Sequence, residues 1–171
     1  DMKKLFHINA EYIRALSPEA FSEIATQYFQ LTGWQPVNLD LHVLSDLSSL
    51  IQERIEKLAD IVKLVDWLFN EEPAVETDPK EMKKISKSMS ADKVADVLDL
   101  AIEQLEKCDW NEEVIGETIN GIGQTLETKS QVPIRVAVTG RRIGLPLFKP
   151  MEILGRQKVV TRLQKARADL G

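Results

Sequence analysis

Nine lysine and arginine residues and a single acidic residue, Glu152, lie between Ile134 and Arg167. The whole chain has 22 basic and 27 acidic residues, so the rest of the chain contains 13 basic and 26 acidic residues. This segment is therefore cationic within a protein whose formal net charge is −5. Because an acidic body repels polyanions in general, a local basic face indicates a defined anionic partner that is bound at one place.

Residue types that commonly perform catalysis or bind metals are few and dispersed. His7 and His42 have no companions at metal-ligand spacing, and neither lies close in sequence to Cys108 to act as its base. A single cysteine excludes an intramolecular disulfide framework and suits a reducing cytosol, and a small core residue is its predicted role. The chemistry suggested by the sequence is therefore binding through arginines.

Three stretches match one known family in the same order. They are Lys4-Leu5-Phe6-His7-Ile8-Asn9-Ala10-Glu11-Tyr12-Ile13-Arg14, then Gln52-Glu53-Arg54-Ile55-Glu56-Lys57-Leu58 with Trp67-Leu68-Phe69, and finally Arg135, Thr139-Gly140, Leu147-Phe148, Leu154-Gly155 and Arg162-Leu163. Through them the chain resembles, from end to end, the C-terminal anticodon-binding region of bacterial glutamyl-tRNA synthetases. It departs from the family at His7, where an aromatic residue is frequent, and in the loop with Arg141, Arg142 and the Gly144-Leu145-Pro146 run.

The resemblance implies the tRNA-binding, anticodon-reading part of a glutamate–tRNA ligase, a class I aminoacyl-tRNA synthetase. The full enzyme would use ATP, Mg²⁺, glutamate and glutamate tRNA at a catalytic domain absent from this chain. For the chain itself we expect no cofactor, no metal and no catalysis, in a cytoplasmic, monomeric protein without a membrane segment. The stretch Ile85-Ser86-Lys87-Ser88 is superficially similar to the ATP-binding loop of class I synthetases. It follows the opening stretch instead of preceding it, so we interpret it as a basic turn.

The resemblance also implies roles for single residues. Arg54 would favour cytosine over uracil at the first anticodon base, and an arginine suits this task because its rigid fork carries five donors. The other implied anticodon contacts are Arg135, Leu145, Pro146 and Leu147. Contacts with the tRNA backbone and stem are implied for Arg141, Arg142, Lys4, Asn9, Tyr12 and Arg14. Each role has a structural alternative: Arg54 would pair with Glu53 or Glu56 in a helix, Tyr12 would only pack, and Lys4 would only be solvated.

The elements that must position these residues are predicted to be helical. The sequence indicates an all-α fold in two consecutive helical subdomains, residues 1–76 and 77–171, with an acidic linker around 70–79. Ser17, Ser90 and Asn111 are predicted helix starts, and Gly33 and Gly140 are predicted helix ends. Residues 39–68 show apolar residues at helical spacing and predict one long helix or two consecutive ones.

One stretch carries conflicting signals. Ile134, Val136 and Val138 alternate with other residues at the period of a β-strand. We nevertheless predict a helix from about Ser130 to Gly140, because no second strand candidate exists to pair with an isolated strand.

Two other classes of function stay open at this point. A helical protein–protein interaction module would bind no RNA at moderate salt, and a non-specific single-strand RNA binder would show no base preference.

Overall fold

The computed structural model of the protein describes residues 2–73, 79–80, 84, 87 and 89–171. Within these ranges all regular secondary structure is helical, which confirms the predicted all-α fold. The chain divides into two compact units, Asp1–Glu71 and Glu72–Gly171. Most of the Ile85-Ser86-Lys87-Ser88 stretch and the centre of the predicted linker lie outside the described residues. Of the helices that are described, none has both the length and the apolar character required to span a bilayer.

Unit 1 is built around a core of aromatic and aliphatic side chains. Its helices are α1 (Met2–Leu5), α2 (Ala10–Ala15), α3 (Pro18–Thr32), α4 (Leu41–Asp46), α5 (Ser48–Gln52) and α6 (Ile61–Phe69), with a 3₁₀ turn at Leu58–Asp60 before α6. Helix α3 packs against α4 and α5, and α2 packs against α5. The fully buried side chains of this core include Ile13, Phe21, Phe29, Leu44, Ile51, Leu58 and Ile61.

The prediction of one long or two consecutive helices over residues 39–68 was wrong. The structure has two short helices, α4 and α5, then non-helical residues 53–57, the 3₁₀ turn and α6. Apolar spacing could not reveal the break, because Ile55 and Leu58 are buried whether the backbone is helical or not. Arg54 consequently lies in the turn after α5, and its predicted helical setting is corrected.

Unit 2 contains the basic segment. Its helices are α7 (Ala91–Leu105), α8 (Glu112–Leu126), α9 (Gln131–Thr139), α10 (Phe148–Leu154) and α11 (Arg156–Asp169). Helix α7 packs against α8, α9 and α11, while α10 packs against α8 and α11. The core between them includes Val97, Leu98, Leu105, Ile115, Ile119, Ile134, Val138, Met151, Val159 and Leu163.

The predicted helix ends are confirmed by their hydrogen bonds. The side chains of Ser17, Ser90 and Asn111 accept bonds from backbone N–H groups three residues later, which satisfies donors that have no partner inside the helix. Gly33 ends α3 at φ 78° and Gly140 ends α9 at φ 79°, a left-handed conformation that glycine adopts at little cost.

Helix α9 resolves the conflict between strand and helix over residues 134–138. Ile134, Ala137 and Val138 are buried, and their spacing of three and four residues is that of one helix face. Val136 is only half-buried, so the alternation of the sequence does not correspond to an inside and an outside. The predicted helix is confirmed, since its backbone groups pair within the helix.

Two glycines of α8 give a matched test of how α10 packs on this helix. A Cβ at Gly116 would lie 2.9 Å from Cδ2 of Phe148, whereas a Cβ at Gly121 would meet nothing within 4 Å. We expect Gly116→Ala to lower the free energy of unfolding by about 1–3 kcal/mol through overpacking. Gly121→Ala should raise it by about 0.5–1 kcal/mol, because alanine favours the helix. Urea unfolding followed by circular dichroism measures both, and equal stabilisation by the two variants would contradict this packing of Phe148.

Candidate nucleic-acid interface

A loop of residues 140–147 joins α9 to α10 and contains most of the predicted contacts in unit 2. The N–H of Gly140 donates to the carbonyl of Val136, and the chain then turns away from the helix axis. The hydroxyl of Thr139 lies 2.8 Å from the carbonyl oxygen of Arg135 and accepts the N–H of Arg141 at 3.1 Å. The start of the loop is therefore held against the last turn of α9.

The far side of the loop is held by Arg135. Its Nη1 donates to the carbonyl oxygen of Leu145 at 2.6 Å, across ten residues of sequence. A Cβ added at Gly144 would stand 3.4 Å from the same Nη1, so the loop backbone runs close to the guanidinium. In this structure Arg135 is therefore a brace of the loop, and its predicted contact with a base stays a prediction.

Arg162 supports the same loop from α11. Its side chain is only 6% exposed, and its Nη1 donates to the carbonyl oxygen of Val138 at 2.8 Å. Val138 lies in the last turn of α9, where carbonyl groups lack partners inside the helix and where a cation interacts favourably with the helix dipole. Sequence reasoning counted Arg162 as part of a basic face, but the structure buries it against the last turn of α9.

The loop exposes a different apolar residue from those predicted. Leu145 and Leu147 are each 2% exposed and belong to the core, so the expectation that they offer apolar surfaces to bases is corrected. Pro146 is exposed, as predicted, and Ile143 is 63% exposed. Ile143 was missed because a loop has no periodicity that separates inward from outward residues.

The cationic side chains between Ile134 and Arg167 differ in their exposure and in their protein partners. Arg156 donates to the carbonyls of Glu106 and Cys108 and lies 5.4 Å from the ring centroid of Trp110. Arg167 pairs with Asp99 at 2.8 Å, and Lys165 pairs with Glu72 at 3.0 Å. Of the remaining cations in this segment, Lys158 is exposed, and Arg141, Arg142 and Lys149 are partly exposed. The basic face is therefore smaller than the charge count predicts, because Arg162 is buried and Arg135 and Arg156 donate to backbone carbonyls.

Another face of unit 2 is acidic. An open groove of about 530 Å³ along α8 is lined by Glu112, Glu113, Glu117 and Glu152, with the Phe148 ring beside them. Glu152 also accepts the backbone N–H of Glu112 at 2.9 Å and thereby caps α8. A polyanion is disfavoured in this groove because four carboxylates line it.

The predicted contacts of unit 1 lie on α1, α2 and the turns beside them. Lys4 and Arg14 are exposed, and Tyr12 is 54% exposed. The Oδ1 atom of Asn9 accepts the N–H of Tyr12 at 2.9 Å, so Asn9 caps α2. Phe6, which the sequence did not single out, is also 54% exposed and meets the ring of Tyr28 edge to face. Two cations and two aromatic rings are therefore exposed within residues 4–14.

Arg54 stands beside a buried residue of the same sequence stretch. Its Nη1 donates to the carbonyl of Leu50 at 2.9 Å and lies 3.6 Å from the carboxylate of Glu53. About a third of the side chain, 35%, is exposed. Gln52 is 6% exposed and its Nε2 donates to the carbonyls of Ile13 and Leu16 at 2.6 and 3.0 Å. These hydrogen bonds join α5 to the end of α2. They also fix the position of Gln52, which precedes Arg54 by two residues.

Comparisons with known proteins concern the whole chain. A family model described as "Anticodon binding domain" matches residues 13–167. The chain is 37% identical to glutamate–tRNA ligase of Frankia casuarinae, covering 99% of this chain and 36% of that protein. It is 38% identical to glutamate–tRNA ligase of Salinispora arenicola, again over 99% of this chain and 37% of that protein. The chain therefore spans about a third of the length of the curated relatives it matches.

Two solved structures share the fold. A glutamate tRNA ligase from Elizabethkingia meningosepticum, crystallised in complex with its amino acid, superposes with a TM-score of 0.75 at 20% identity, over 95% of this chain and 31% of that one. A glutamate-tRNA synthetase from Elizabethkingia anophelis gives 0.69 at 20% identity, over 94% and 30%. At this identity the superpositions establish the helical fold of the chain.

Proposed function

The chain belongs to the anticodon-binding domain family, and from that premise we propose that it binds tRNA and reads its anticodon as part of a glutamate–tRNA ligase. The observation that carries the proposal is the braced loop of residues 140–147, which holds Arg141, Arg142 and two exposed apolar side chains in one place. A single-stranded RNA loop presents phosphates together with unstacked bases, and this combination matches such a surface.

The proposed whole protein attaches glutamate to its tRNA with ATP and Mg²⁺ at a catalytic domain outside this chain. The names of the relatives support the substrate, and the share of their length that the chain spans supports its role as one part of a longer enzyme. In this proposal the chain holds no cofactor and catalyses nothing, and the protein works in the cytoplasm as a monomer with glutamate tRNA as its partner.

The proposed roles of single residues come from the family resemblance, and their exposure and chemistry support some of them. Arg54 and Arg135 are the proposed base readers, and Pro146 is the exposed member of the predicted apolar contacts. Lys4, Asn9, Tyr12 and Arg14 are the proposed contacts to the tRNA stem and backbone. The exposure of Lys4, Tyr12 and Arg14 supports this part of the proposal, while Asn9 also has its capping role.

Arg141 and Arg142 are proposed to contact phosphates, and this predicts a salt signature. Each phosphate contact releases counterions, so Arg141→Ala or Arg142→Ala should reduce the slope of log K against log salt by roughly one unit. Binding of all tRNAs should weaken about equally, because phosphates carry no sequence information. A titration across salt concentrations measures the slope. Lys107→Ala removes an exposed cation from another part of unit 2 and should leave it unchanged. A wild-type slope in both arginine variants would remove these residues from the interface.

The proposed function as a whole is tested by titrating the 171-residue chain with glutamate tRNA and with the same tRNA carrying a different anticodon. Tighter binding of the first RNA is the expected result. Equal binding of both would indicate a non-specific RNA binder, and no binding at low salt would leave a protein–protein interaction module.

A further inference from the structure

We propose that Ile143 is a base-contacting residue whose side chain packs on the face of an unstacked nucleobase of the anticodon loop. The inference rests on the proposed function and adds to it a contact that the family resemblance did not imply. Ile143 is 63% exposed. A single exposed aliphatic side chain is ordinary on a protein surface, so exposure alone does not carry the argument.

The position of Ile143 between two fixed points carries the argument further. Two residues before it, the N–H of Arg141 donates to Thr139, and two residues after it, the carbonyl of Leu145 accepts from Arg135. The buried side chains of Leu145 and Leu147 anchor the exit of the loop in the core. The backbone is therefore fixed by hydrogen bonds on both sides of Ile143, and between these points its side chain lies outside the core. Binding there requires little ordering of the backbone, which favours affinity.

The neighbours of Ile143 indicate what would cover it. Arg141 and Arg142 precede it directly and Pro146 follows, so cationic and apolar side chains lie next to one another within a few residues of the chain. A nucleotide whose base is unstacked offers its phosphate to the cationic side chains and the face of its base to the apolar ones. In a duplex the base faces are hidden by stacking, so a single-stranded loop is the matching ligand. Isoleucine is among the apolar side chains that other proteins insert between bases.

The test compares two RNAs with the 171-residue chain. One is an anticodon stem–loop with the glutamate anticodon, and the other is a blunt duplex of the same stem sequence without the loop. Ile143→Ser should weaken binding of the stem–loop about tenfold, which is the scale of burying one aliphatic side chain. Binding of the duplex should not change. The salt slope should also stay at its wild-type value, because no charge is removed.

Two further variants serve as matched controls. Ile143→Leu keeps an aliphatic side chain and should retain affinity within about twofold. Leu170→Ser removes an aliphatic side chain that is 43% exposed at the end of unit 2, away in sequence from the loop, and should bind as the wild type does. Circular dichroism verifies that all three variants fold, which is expected because both positions are exposed.

The outcomes separate this inference from the proposed function. If the wild-type chain binds the stem–loop and Ile143→Ser binds it equally well, the base contact is overturned while the proposed function stands. If Ile143→Ser weakens the stem–loop and the duplex by the same factor, Ile143 touches the sugar–phosphate backbone and the inference is wrong. If the wild-type chain binds neither RNA at low salt, both are overturned, and a protein partner becomes the ligand to seek at Ile143.

Discussion

Gln52→Leu is expected to lower the free energy of unfolding by about 2–4 kcal/mol, because it leaves two carbonyl groups without their donor. Gln52 is 6% exposed, and its amide donates to the carbonyls of Ile13 and Leu16 at the end of α2. The carbonyl of Leu16 has no following helical turn to satisfy it, and the carbonyl of Ile13 would keep only a long bond of 3.3 Å from the N–H of Leu16. Leucine fills a similar volume, so the loss reports on hydrogen bonding and not on a cavity.

Two comparisons make this prediction specific. Gln52→Glu has nearly the shape of glutamine but places acceptors against acceptors, so at neutral pH it should destabilise at least as much as leucine does. Gln30→Leu replaces an exposed glutamine on α3 and should change the free energy of unfolding by less than about 0.5 kcal/mol. Urea unfolding followed by circular dichroism measures all three. A loss below about 1 kcal/mol for Gln52→Leu would mean that these carbonyls find other partners and that α2 and α5 are not joined through Gln52.

Arg54→Gln is expected to relax the preference for cytosine over uracil at an anticodon base by about tenfold, with a smaller loss of overall affinity. Cytosine presents acceptors that an arginine fork can satisfy, whereas uracil presents a ring N–H for which arginine has no acceptor. A polar group left unpaired in a contact costs about 1–3 kcal/mol, a range that includes the free energy equivalent to a tenfold change in preference. Glutamine carries both a donor and an acceptor and should accommodate either base.

The measurement is binding of stem–loop RNAs that differ by cytosine or uracil at each anticodon position in turn, with the largest effect expected at the first. Arg14→Gln, a change at an exposed arginine of the same unit, is the matched control and should weaken all these RNAs by similar factors. If Arg54→Gln also weakens every RNA equally, Arg54 either contacts the RNA backbone or has only a structural role through its contacts with Leu50 and Glu53. Its role as a discriminating residue would then be wrong.

Properties that depend on near neighbours in the chain could be predicted from the sequence. The caps by Ser17, Ser90 and Asn111 join groups three residues apart, and the αL glycines at 33 and 140 end helices locally. The absence of a pairing partner, the helical flanks and the family resemblance together predicted the helix that the structure has at residues 131–139, despite their alternating pattern. The all-α fold and the family followed from such local signals together with the order of three motifs.

Only the tertiary structure decided which side chains face outward. The reason is that the contacts responsible join residues that are far apart in the sequence. Gln52 bonds to a carbonyl 39 residues away, and Arg162 to one 24 residues away, so neither burial has a signal in the neighbouring sequence. In the loop, Ile143, Leu145 and Leu147 are chemically alike, yet two are buried and one is exposed. The brace from Arg135 to Leu145 helps to set that difference. By itself the sequence determined the helical fold, the family and the positive charge of the segment between Ile134 and Arg167. These properties depend on composition and on local spacing. The exposure of Ile143, and of the few arginines at the surface, became visible only in the packed structure, in which α9 contacts α11.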